Sequence, residues 1–253
     1  GFPAGITFYS VRFGSDNAVY LSGNNGYLFK STDGGATWNE LGYRFTTSSL
    51  KDVSFADTLN GYVVGTNFVA RTTNGGLTWM QQTSPFSGDI NEVVATSSDH
   101  AVAGCDGGNV IVTTNGGNNW NLVATGITGT NSDILAIDFI NDNFGIAAAY
   151  NGTVAKTTDG GFNWTIVSAI SGFNPWDMYM VDSLYGWVAG TGERIVRTTD
   201  GGLTWQQQLS VGGIGTYGIS FIDRQRGIAG GTGGNTYYTT NFRGHWPTAT
   251  TPP

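Results

Sequence analysis

The sequence predicts an all-β fold, a six-bladed β-propeller of four-stranded antiparallel blades, on three observations. The stretch Ser31-Thr32-Asp33-Gly34-Gly35-Ala36-Thr37-Trp38 returns along the chain and places Trp at 38, 79, 120, 164, 205 and 246, with spacings of 41, 41, 44, 41 and 41. A period near 40 rich in turn residues marks a propeller or a solenoid. Forty glycines and only 11% charged residues fit many short strands joined by tight turns. Finally, each period divides into four strand-like runs, and no separate capping element of the kind a solenoid needs stands at either end.

The second repeat gives the pattern. Leu50 to Phe55 is expected as the inner strand, Gly61 to Gly65 as the second, Phe68 to Thr72 as the third, and Thr78 to Gln82 as the outer one. Inner strands are expected likewise at Phe8 to Phe13, Ile90 to Ala95, Ile134 to Phe139, Trp176 to Val181 and Thr216 to Phe221. Their apolar centres are Val11, Val53, Val93, Ile137, Tyr179 and Ile219. The blades then span about 5–45, 46–86, 87–130, 131–172, 173–212 and 213–248, a single propeller over 1–246. A Pro/Thr-rich linker or tail follows at 247–253. Closure by packing alone is expected, because the first blade starts with its own inner strand and the last ends weakly at Trp246-Pro247-Thr248. An incompletely paired last blade would offer a strand edge for self-association through the chain ends.

Five residues before each Trp stands Asp33, Asn74, Asn115, Asp159, Asp200 or Asn241, whose side chain is expected to accept from backbone N–H groups two residues on. Five of the six turns carry Gly-Gly, which supplies positive φ at little cost. Trp38, Trp79, Trp120, Trp164, Trp205 and Trp246 are expected to wedge between neighbouring sheets. Eight residues before them stand Lys30, Arg71, Val112, Lys156, Arg197 and Tyr238. These form either a basic ring or long stems packed along the hairpins with their charges on turns and aromatic faces.

This pattern resembles the Asp-box, Ser/Thr-x-Asp-x-Gly-x-Thr-Trp, of sialidases and other secreted propellers. The longer form, Arg197-Thr198-Thr199-Asp200-Gly201-Gly202-Leu203-Thr204-Trp205 preceded by Gly186-Trp187-Val188-Ala189-Gly190, is more similar to the Ycf48-type repeat of photosystem II assembly factors and bacterial surface proteins. That resemblance covers nearly the whole chain and implies the propeller fold. Photosynthetic members as a rule have seven blades, whereas six copies stand here.

Composition narrows the function. A net charge of −7 argues against binding nucleic acid, which needs clustered Lys and Arg, and disfavours anionic membranes. No run reaches the roughly 18 to 20 apolar residues of a spanning helix. Cys105 is the single cysteine, and His100 and His245 are isolated, so neither metal nor cofactor is expected. The Pro/Thr tract points to a secreted or cell-surface module, with the periplasm as a further option.

A sialidase would need an arginine triad and a Tyr/Glu pair, and no motif assigns them. The best carboxylate pair is Asp52 and Glu92, each one residue before the apolar centre of its inner strand in adjacent blades. Paired carboxylates about 5 to 10 Å apart are what glycoside hydrolysis uses, which makes a glycoside hydrolase the catalytic alternative. The bland reading is a polar channel lining with Arg12 and Asp138 as charge partners.

The loops joining outer to next inner strand, and second to third strand, should lie on the face opposite the Asp-box turns. There the sequence offers aromatic residues. Trp176, Tyr217, Phe45, Phe86 and Phe173 are the expected ligand contacts, since flat exposed rings stack on sugars or anchor protein partners. Trp176 stands out because the equivalent residues are read as Phe8, Leu50, Ile90, Ile134 and Thr216. The expected function is a non-enzymatic binding or assembly module for a protein or neutral glycan, with a structural subunit of a surface assembly as a third reading.

Overall fold

A computed structural model describes residues 1–14, 17–41, 46–241 and 245–248. The chain divides into two compact units, Gly1–Ala124 with Gly160–Phe162, and Thr125–Asp159 with Asn163–Pro253. In the first unit, β1 (Phe8–Phe13), β2 (Val19–Gly23), β3 (Leu28–Ser31) and β4 (Asn39–Glu40) form one sheet. Next come β5 (Leu50–Phe55), β6 (Gly61–Gly65), β7 (Phe68–Thr72) and β8 (Met80–Gln81). The third sheet holds β9 (Ile90–Ala95), β10 (Ala101–Cys105), β11 (Asn109–Thr113) and β12 (Asn121–Ala124).

The second unit repeats the plan. Its sheets are β13 (Ile134–Phe139), β14 (Gly145–Ala149), β15 (Thr153–Thr157) and β16 (Thr165–Ala169); β17 (Pro175–Met180), β18 (Gly186–Gly190), β19 (Arg194–Thr198) and β20 (Gln206–Ser210); and β21 (Thr216–Phe221), β22 (Gly227–Gly231) and β23 (Thr236–Thr239). Among the described residues these six antiparallel sheets are the blades of an all-β six-bladed propeller. The last blade has three strands, and beyond β23 only an isolated bridge joins Tyr237 to Thr248.

Strand character follows burial. The central strands β6, β10, β14 and β18 are buried at every residue, and β6 and β18 each belong to the middle sheet of their unit, with a sheet of that unit on either side. Blade contacts are large and apolar: Tyr20 of the first blade packs with Val53 and Val63 of the second, and Trp187 of the fifth with Ile219 and Phe221 of the sixth. In the first sheet Val11 is exposed, while Val53 and Val93 at the same position are buried. At the far end of unit two, Ile228 is exposed where Ile146 and Trp187 are buried.

The Asp-box turns are held by a two-part lock. In the first, Ser31 Oγ accepts from Gly35 N at 2.8 Å, while Asp33 Oδ1 accepts from Thr37 N at 2.8 Å and Oδ2 from Thr37 Oγ1 at 2.6 Å. The residue that Asp33 reaches is four positions on rather than two, since the double glycine, with φ of 70° and 97°, folds the chain back over the carboxylate. The backbone N–H bond to Oδ1 recurs at Asn74, Asn115, Asp159 and Asp200. At the sixth turn Thr239 Oγ1 accepts from Asn241 N at 3.3 Å.

The repeat Trp side chains are all buried or half-buried. Trp120 and Trp205 reach the preceding blade, their indole N–H donating to Gln82 Oε1 at 3.0 Å and Ser168 Oγ at 3.2 Å. Lys30 and Arg71 do what packed stems do: Lys30 Nζ donates to Gly75 O at 2.6 Å and Arg71 Nη1 to Gly116 O at 2.8 Å, each holding the turn of the next blade. Both cations also lie over a tyrosine of their own sheet, Tyr20 and Tyr62.

Candidate functional site

The site is built on a recurrent bulge. In all six sheets the pairing between inner and second strand slips across the second residue of the inner strand, so that Tyr9, Lys51, Asn91, Leu135, Trp176 and Tyr217 have no partner in the ladder. A bulge of this kind re-aims a side chain at the rim of a sheet. The inner strand of the fifth blade begins at Pro175 and not at Trp176, so the equivalents of Trp176 are those bulge residues and not Phe8, Leu50, Ile90, Ile134 and Thr216. By the same one-residue shift, Met178 rather than Tyr179 is the buried centre of that strand. Proline fits a first strand position because no ladder hydrogen bond is asked of its nitrogen.

Two adjacent bulges in unit two therefore bring aromatic rings together. The rings of Trp176 and Tyr217 stack with centroids 4.7 Å apart and an interplanar angle of 5°. Tyr217 is 55% exposed and Trp176 is half-buried. Trp176 rests on Gly215, where a Cβ would collide with the indole ring.

Directly below, Asp177 is buried and joins the two inner strands. Its Oδ2 accepts from Ile219 N at 2.7 Å and its Oδ1 from Met178 N at 2.9 Å. The stack thus stands on a rigid base.

The remaining expected contacts divide. Phe173 is buried with the Arg194 guanidinium 5.1 Å above its ring, so it is no ligand contact, and its burial comes from its place at the end of the loop entering the fifth blade. Phe86 is half-buried against the core of the second and third blades. Phe45 lies outside the described residues.

The carboxylate pair of unit one is accounted for by its neighbours. Asp52 accepts from Ser10 Oγ and, through Oδ2, from Val93 N at 3.0 Å. This is the bond that Asp177 makes to Ile219, at the same positions of its own pair of blades. Arg12 Nη2 donates to Glu92 Oε1 at 2.9 Å, with Arg12 Nε 3.8 Å from Asp52 Oδ1. Asp138 Oδ2, in unit two, accepts from Met180 N at 2.6 Å. Carboxylates at inner-strand positions act here as bolts between successive strands, with Arg12 neutralising two of them.

Among the described residues no three His, Cys, Asp or Glu side chains gather as metal ligands would. Cys105 is buried, and that burial pushes its thiol above the ordinary range. His100 is buried and engaged on both ring nitrogens, by Thr96 Oγ1 at 2.7 Å and Gly160 O at 3.0 Å.

A family model described as photosynthesis system II assembly factor YCF48 matches residues 2–134, more than half of the sequence. The chain belongs to this family. No curated protein matches it.

Solved structures agree on the fold. YCF48 bound to a D1 peptide superposes with a TM-score of 0.76 at 19% identity, over 97% of this chain and 81% of that one. YCF48 from Cyanidioschyzon merolae gives 0.77 at 20%, over 99% and 87%. A GH74 enzyme from Niastella koreensis gives 0.78 at 16% identity, over 96% of this chain and 45% of the enzyme. At these identities the likeness is one of fold, so the YCF48 family assignment and not the GH74 superposition bears on function.

Two features escaped the sequence reading. Asp177 was hidden by the one-residue slip, and its signal is that it stands third in its strand, as Asp52 does. The other is Glu193, a non-glycine residue with φ of 47°. Its signal is Thr191-Gly192-Glu193 in a loop joining second to third strand, where other blades carry Asn or Gly.

Proposed function

We propose that this protein is a non-enzymatic assembly or binding module that takes an extended polypeptide across the Trp176–Tyr217 stack. The observation that carries the reading is the parallel, stacked pair itself: two rings held on bulges of adjacent blades, one of them more than half exposed. Exposed aromatic residues on a rigid base contribute contact area at little entropic cost, the property that makes Tyr and Trp anchors of protein interfaces. Membership of the YCF48 family supports a protein partner over a glycan, since a protein of that name has been solved bound to a D1 peptide. The hydrogen bonds of Asp52 to Val93 N and Ser10 Oγ, and the ion pair of Glu92 with Arg12, support a non-catalytic role for both. Export to the cell surface belongs to the same reading on the strength of the Pro/Thr tract.

Fluorescence anisotropy with labelled extended peptides, the D1 peptide among them, and with neutral oligosaccharides tests it. Peptide binding that weakens on Trp176→Ala and Tyr217→Ala in folded protein is the expected result. Saturable binding of the oligosaccharides alone would replace the peptide by a glycan, and peptide binding indifferent to both substitutions would move the site elsewhere.

A further inference from the structure

A cleft of about 480 Å³ opens in unit two, lined by Glu193, Val211 to Ile214, Thr232, Asn235, Tyr237 and Thr248. Its chemistry is dominated by one carboxylate. Glu193 is only 4% exposed, yet among the described residues no cationic side chain pairs with it. Arg194, next in sequence, turns away to donate to Gly172 O at 2.8 Å.

Glu193 is held by neutral donors. The Tyr237 hydroxyl donates to Oε2 at 2.9 Å and Asn235 Nδ2 to Oε1 at 3.1 Å. A carboxylate offers about four lone-pair sites, so each oxygen keeps acceptor capacity toward the cleft. Burial, together with the neighbouring carboxylate, raises the Tyr237 phenol above its ordinary value, which keeps it a donor. A buried carboxylate is costly unless hydrogen-bonded and paired with a charge. Half of that requirement is met here.

The surroundings set the shape of the missing partner. Gly213 lies against the carboxylate, and a Cβ there would collide with its carboxyl carbon, so a bulkier residue would close the site. Val211 and Ile214, 54% and 67% exposed, rim the cleft with aliphatic surface. An apolar stem ending in a compact cation matches both features, and that is a lysine side chain, whose stem packs on apolar surface while its ammonium meets the acceptor. We infer that the cleft around Glu193 binds a lysine side chain, and on the peptide reading above, a lysine of the bound polypeptide. Gly213, against Glu193, and Gly215, under Trp176, stand two positions apart, and two residues of chain span at most about 7 Å. One extended segment can therefore place its lysine at Glu193 and a flat or apolar neighbour on the Trp176–Tyr217 stack. The chain's net charge of −7 favours the approach of such a cation.

The probe is Nα-acetyl-lysine methylamide, compared with its Nε-acetylated form, titrated into ¹⁵N-labelled protein. The ammonium form should shift the backbone amides of Glu193, Gly213 and Asn235 along one saturable course. The acetylated form, and the ammonium form on Glu193→Gln, should bind about tenfold more weakly, the loss of one charge-assisted contact. Equal shifts from both forms, or an unchanged affinity in a Glu193→Gln protein with native circular dichroism, would overturn the inference. The two-probe comparison on the unaltered protein decides the matter even if the variant does not fold. Should extended peptides bind through Trp176 while the lysine probe does not, this inference falls and the peptide reading stands. Should the lysine probe bind as expected while no peptide does, the cleft stands and the peptide reading falls.

Discussion

Replacing Asp52 by Ala removes one bolt between two blades, and its cost can be worked from the contacts. Asp52 accepts Val93 N–H at 3.0 Å and the Ser10 hydroxyl. Hydrogen bonds to charged groups contribute about 1.5–3 kcal/mol each, and a buried N–H left without an acceptor costs about 1–3 kcal/mol. Part of this is offset, because the variant no longer buries a carboxylate that is 3% exposed. Arg12 is not orphaned, since it keeps Glu92 at 2.9 Å and its side chain is 37% exposed. The net loss is about 2–4 kcal/mol for Asp52→Ala and about half that for Asp52→Asn, which keeps a neutral acceptor. Urea unfolding followed by tryptophan fluorescence should show the midpoint falling at constant slope, with faster hydrogen exchange at Val93. A change within about 0.5 kcal/mol, the range of an ordinary surface substitution, with Val93 as protected as before, would refute the bolt and restore Asp52 as a candidate for chemistry.

Other consequences follow from the same contacts. Hydrogen bonds from Thr37, and then Ser31, hold the Asp33 carboxyl down at about 2 against an ordinary 3.8. Because the folded value lies below the unfolded one, the contribution of this turn is complete above the ordinary carboxylate pKa and is lost as pH falls from there through about 2. A ¹³C titration of the Asp33 carboxyl should show its midpoint near that value. Arg71→Met should cost about 1–3 kcal/mol in urea unfolding, because Gly116 O and Ser98 O both lose a charged donor. Gly215→Ala should push Trp176 off its seat and weaken the near-ultraviolet circular dichroism of the Trp176–Tyr217 pair, whereas Gly230→Ala, where a Cβ meets open space, should leave that signal in place.

Much of the fold was legible because the repeat supplies its own register. The six inner strands, and the second and third strands of the second blade, stand where Trp spacing and turn residues put them, apart from the fifth inner strand. That strand begins one residue earlier than expected, at Pro175, a position where proline's missing N–H is tolerated. One residue exchanges the faces of a strand, so the slip turned a bulge residue into a supposed departure from the repeat and hid Asp177. The outer strand of the second blade is also shorter than expected, Met80–Gln81, since the turn lock extends to Thr78. The site was only half legible. Aromatic residues near loop ends can be counted in a sequence, but whether a ring is covered, as Phe173 is, or stacked and open, as Tyr217 is, depends on neighbouring blades. Glu193 departs from the Asn or Gly of the other blades, but its partners Asn235 and Tyr237 belong to the next repeat, about forty residues on, so the sequence alone does not bring the three together.

The claim that the Trp176–Tyr217 face receives an extended polypeptide is tested most directly by following the Trp176 indole N–H by nuclear magnetic resonance as the D1 peptide is added. The account predicts a saturable shift of that resonance, accompanied by the Gly215 and Tyr217 amides and abolished for those amides by Trp176→Ala. Saturable peptide binding with all three signals unmoved would contradict it.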